Sequence, residues 1–87
     1  MRIRIDPHTL DRAEERGTNA AEIEDVLLTG SAVSARQGRS ARAKVFPFGK
    51  ERLGKYYDQK RVEVIYIEEN ETAVTVTVYV FFGNWET

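Results

Sequence analysis

The sequence predicts an α+β domain: two N-terminal helices packed on an antiparallel sheet of four to five strands. Two observations carry this. Between Pro7 and Gly30, helix-start and helix-stop residues bracket two short segments, whereas from Ser31 onward the apolar residues alternate with polar ones. The acidic stretch Glu68-Glu69-Asn70-Glu71 also separates two strongly alternating runs, as a hairpin turn does. Eighty-seven residues suit one domain, 1–87, with a small core.

Arg2 to Asp6 alternates polar and apolar residues, as a short half-buried strand would. Asp6 then serves as an N-cap, with Pro7 at the first helical position and Gly17 as the left-handed stop after Arg16. Leu10 and Ala13 are expected to point to the core. Asn19 and Glu22 have capping-box spacing, Ile23, Val26 and Leu27 form an apolar stripe, and Gly30 ends the second helix. Ala32 to Arg36 reads as a weak strand and Gln37-Gly38-Arg39-Ser40 as a turn. Arg42 to Phe48 is a better strand, although Pro47 suggests an early end or an edge. Leu53 to Tyr57, Arg61 to Ile67 and Thr72 to Phe82 follow as strands. In the last, Val74, Val76, Val78, Val80 and Phe82 share the face expected to meet the helices.

The absence of cysteine removes disulfide scaffolds, thiol nucleophiles and sulfur-built zinc sites, and one histidine makes no metal cluster. No Walker-type phosphate loop, Gly-x-Ser-x-Gly or carboxylate set spaced for magnesium is present, so neither metal nor cofactor is expected. No long apolar run spans a membrane, and Met1 to Asp6 lacks the apolar region of a signal peptide, so a cytoplasmic protein is expected.

The formal charge of −1 hides a division. Arg36 to Arg61 holds nine basic residues against Glu51 and Asp58, a balance of +7, while the remainder holds four basic and twelve acidic, a balance of −8. This predicts one basic face suited to a polyanion, although a solvated basic edge would have the same composition. Within it Lys44, Phe46, Phe48, Lys50, Arg52, Lys55, Tyr56, Tyr57, Lys60 and Arg61 interleave cations with aromatics. Cations can track the phosphates of single-stranded RNA while rings stack on unpaired bases; equally, the aromatics can be core and the cations its rim. His8, Arg12 and Arg16, four apart, share a helix face that can meet phosphate or simply form solvated ion pairs such as Arg12–Glu15. These residue types can cleave RNA without metal, because the 2′-hydroxyl supplies the nucleophile and the protein need only move protons and stabilise charge.

His8-x-x-x-Arg12-x-x-x-Arg16-Gly17, the helix with Glu22-Ile23-x-x-Val26-Leu27 and Gly30, and the strands Lys60 to Tyr66 and Thr75 to Tyr79 resemble the family catalogued as domain of unknown function 4258. That resemblance implies a fold related to the RelE/ParE/BrnT toxins, bacterial proteins that mostly cleave messenger RNA and are held inactive by a cognate antitoxin. It implies His8, Arg12 and Tyr79 as catalytic candidates with Arg16 beside them. The basic meander adds Arg61 as a catalytic candidate that contacts phosphate, and Lys44, Lys50, Arg52, Lys55, Tyr56, Tyr57 and Lys60 as the other residues expected to contact RNA. The other reading is a non-catalytic module that binds protein or nucleic acid, or pairs as a homodimer that covers the valine- and aromatic-rich Val74 to Phe82 strand.

Overall fold

The computed structural model describes residues 1–85. The elements in chain order are β1 (Arg2–Arg4), α1 (Pro7–Arg16), α2 (Ala20–Thr29), β2 (Ser31–Val33), β3 (Ser40–Arg52), β4 (Lys55–Glu69) and β5 (Thr72–Gly83). Both helices start and stop as their sequences dictate. Asp6 accepts from the His8 amide and Asn19 from the Glu22 amide, while Gly17, at φ 93°, closes α1 in the left-handed conformation.

The five strands form one sheet in the order β1-β5-β4-β3-β2. β2 to β5 make an antiparallel meander, but β1 lies parallel to β5, with Arg2, Ile3 and Arg4 opposite Thr72, Ala73 and Val74. The sheet is therefore mixed rather than wholly antiparallel. The two helices carry the chain from one sheet edge to the other, and the meander returns to β1 running in its direction.

Strand lengths differ from expectation around residue 54. Leu53 and Gly54, at φ 52° and 82°, form a two-residue turn joining β3 directly to β4. Lys55 to Tyr57 thus begins β4 rather than forming a strand of its own. Ser34 to Arg39 forms a loop after the short β2, so the strand expected to Arg36 ends at Val33.

The core lies between the helices and one sheet face. Ala13, Ile23, Val26 and Leu27 pack on Val62, Val64, Tyr66, Ala73 and Val78, all buried. The continuous valine face expected on β5 is broken. Tyr66 faces Thr75 and Ile65 faces Thr77, so Val76 is an extra residue in a bulge. Ala73 and Thr75 face the helices before it, and Val78, Val80 and Phe82 after it. On α1, Thr9 rather than Leu10 accompanies Ala13 inward. The Thr75 hydroxyl donates to the Thr9 hydroxyl at 2.9 Å and accepts from the Asp6 amide at 3.0 Å, so the buried pair has its partners.

Candidate functional site

Alternation along β4 sorts its side chains sharply. Lys60, Val62, Val64 and Tyr66 face the helices, so Arg61, Glu63 and Ile65 face the opposite, helix-free side. Cross-strand register places Tyr79 beside Glu63 and Phe81 beside Arg61 on this open face. Arg61 donates to Glu63 at 3.0 Å, and both side chains are partly shielded. Ser34, Ala35, Arg36 and Arg39 of the loop after β2 border a cavity of about 500 Å³ whose floor is Ile65, Thr77 and Tyr79. Arg36 and Arg39 are exposed, and no side-chain hydrogen bond engages either among the described residues. The Tyr79 ring, 43% exposed, lies 5.1 Å from the Arg16 guanidinium.

The cations do not form one basic face. Several end on the helices instead. Lys60, only 8% exposed, donates to Glu22 at 2.7 Å and to the Gly17 carbonyl at 2.8 Å. Arg52 donates to the Glu15 carbonyl, and Arg42 to the Gly30 carbonyl and the Tyr66 hydroxyl. Lys60, Arg52 and Arg42 thus meet the carbonyl-rich ends of α1 and α2, where the helix dipole favours positive charge. Lys44 pairs with Asp25 at 3.0 Å and bonds Thr29. The Asp25 carboxyl is held below the usual aspartate range, first by the Thr29 hydroxyl and then by the Lys44 ammonium.

The remaining expected contacts divide between two further places. Lys50, Lys55 and Tyr56 are exposed on the β3–β4 hairpin, with Lys50 over Phe48 and Lys55 over Tyr57. Phe48 and Tyr57 pack on Phe82, so these rings are largely structural. His8 is exposed at the first turn of α1 and Arg12 is paired with Glu15 at 3.0 Å. Neither is brought to Arg61, which points to the other side of the sheet. Arg16 alone of that stripe reaches Tyr79, its Nη1 donating to the Val78 carbonyl at 2.7 Å. Glu63, Phe81, Arg36 and Arg39 were not among the expected site residues. Two-residue spacing from Arg61 and Tyr79 was the available signal for Glu63 and Phe81. Nothing in the sequence indicated that the loop folds toward Tyr79.

The fold and site define a small α+β domain with helices on one sheet face and a second, helix-free face that carries Arg61, Glu63, Tyr79 and Phe81. The chain belongs to the family described as Domain of unknown function (DUF4258), whose pattern it matches over residues 5–80. No curated protein and no solved structure matches it. No helix among the described residues is long and apolar enough to cross a membrane.

Proposed function

We propose that the chain is a toxin-type endoribonuclease acting on messenger RNA, with its site on the open sheet face. The observation that supports this best is the convergence of Arg36, Arg39 and Tyr79 on one cavity, beside the Arg61–Glu63 pair. Arg36, Arg39 and Arg61 hold the scissile phosphate, because guanidinium forks match its oxygens and stabilise the charge gained as it becomes five-coordinate. Glu63, oriented by Arg61, takes the proton of the 2′-hydroxyl as that oxygen attacks phosphorus. Tyr79 gives its proton to the departing 5′-oxygen. The products are a 2′,3′-cyclic phosphate and a 5′-hydroxyl end. The exposed rings of Tyr79 and Phe81 offer stacking surfaces for unpaired bases.

Incubation of the purified chain with end-labelled messenger RNA tests this reading. Cleavage leaving cyclic phosphate is expected, lost in Glu63→Gln and Tyr79→Phe while RNA binding persists. Unchanged cleavage in both variants overturns the assignment. The second reading, a non-catalytic nucleic-acid binding module, draws on the hairpin with Lys50, Lys55 and Tyr56 exposed. It predicts salt-dependent RNA binding without cleavage, weakened by Lys50→Ala and Lys55→Ala.

A further inference from the structure

β5 carries no charged residue from Thr72 to Gly83, in a chain of which 31% of residues are charged. β1 covers only Thr72, Ala73 and Val74, so beyond them the outer edge of β5 has no strand beside it among the described residues. Arg16 approaches the Val78 carbonyl from that side. By alternation, the amide and carbonyl groups of Val80 and Phe82 turn outward as well. No hydrogen bond outside the sheet ladder engages them among the described residues. Sheet edges are normally blunted by their own lysines, prolines or bulges. Here the bulge at Val76 blunts the start of the edge, but from Val78 to Phe82 the strand offers nothing of the kind. A charge bonded to the backbone of that edge comes from α1. Arg16 lies against the edge, bonded to Val78 and 5.1 Å from the ring of Tyr79 on the open face.

We infer that the outer edge of β5 is a self-pairing surface and that Arg16 is the guard that keeps two copies apart. The occupant it fits is a second β5, antiparallel, with Val80 on the twofold axis. In that register Val80 meets its counterpart and Val78 meets Phe82. Tyr79 meets Phe81, an aromatic cross-strand pair on the open face, and no charge within the strand opposes another. The register needs the Val78 carbonyl for an incoming Phe82 amide, and that carbonyl is the atom Arg16 occupies. This surface does not depend on the RNA reading.

Light scattering over rising concentration tests it. The wild-type chain is expected to stay monomeric, and Arg16→Met, which keeps an aliphatic stem but has no donor, is expected to move toward twice that mass. Val80→Pro removes an outward amide that β4 does not use. Added to Arg16→Met, it is expected to restore the monomer. A folded Arg16→Met chain that stays monomeric overturns the inference, as does a dimeric wild type or a double variant that remains dimeric. Should Arg16→Met fail to fold, hydrogen exchange on the wild type reads the same edge. The Val80 and Phe82 amides are expected to exchange far faster than that of Val64, and equal protection overturns the inference.

Discussion

On the helix-covered side of the sheet, Lys60, Arg42 and Lys44 each end on an acceptor supplied by a helix or its cap. On the open side, Arg36 and Arg39 end in solvent beside Tyr79. These cations all come from the same basic segment, Arg36 to Arg61, so composition treats them alike. The sheet separates them. A cation that closes a helix end is withdrawn from any ligand, while one left over a cavity remains available. Regional charge therefore overstates how many cations are free to meet a ligand, and the pleat decides which positions count.

The largest expected effect falls on the open face. If the proposed chemistry holds, Glu63→Gln lowers the RNA cleavage rate by about 10²–10⁴-fold, the usual contribution of a positioned base, in single-turnover assays. His8→Ala, on the far side of the sheet from Arg61, leaves the rate within about twofold; a large loss there with none in Glu63→Gln would reverse the comparison between faces. Next comes the helix-covered side. Lys60→Ala leaves Glu22 without its cation in a shielded site and is expected to cost about 3 kcal/mol in urea unfolding. Arg36→Ala, by contrast, should stay within about 0.5 kcal/mol of wild type. A smaller change is expected at Thr75→Val, about 1–2 kcal/mol, because the Asp6 amide and the Thr9 hydroxyl lose their shared partner. Salt titration sharpens the contrast further. Removing Arg36 and Arg39 should each reduce the slope of log RNA affinity against log salt by about one, and Lys60→Met should leave it unchanged.

The smallest effect is one of pH. The native Asp25 carboxyl is lowered by Thr29 and Lys44, so the folded state favours its ionised form. The stability this contributes is present above the ordinary aspartate range, about pH 4, and is lost as pH falls through the lowered native value. Acid titration of Asp25→Asn against wild type should show the two stability curves converging only at the acid end.

Much of the fold could be read from single residues. Asp6, Pro7, Gly17, Asn19 and Gly30 act locally, and a cap or stop works through its own few backbone bonds. The strands were harder where a decision rested on register. Val76 looks like its neighbours, and only pairing with β4 reveals it as the extra residue that turns Val74 away from Val78. Leu53 is another such case. A leucine at φ 52°, 95% exposed, carries no local signal for a two-residue turn, and Gly54 alone hinted at one. The site was legible in part. Arg61 and Tyr79 lie on the open face, but His8 and Arg12, grouped with them through the family resemblance, lie on the helix-covered side. Lys60, surrounded in sequence by charged and aromatic residues, gave no sign that it would end beneath the corner between the helices.

The parallel seating of β1 on β5 has a mechanical consequence. The N-terminal end of β1 and the far end of β5 point in opposite directions along neighbouring strands, so tension between them loads their ladder in shear. That ladder is three residues long, whereas β5 is bound along nearly its whole length to β4. Under load β1 is the element that lets go first, and its departure would lengthen the bare margin of the sheet from Val78 back to Thr72.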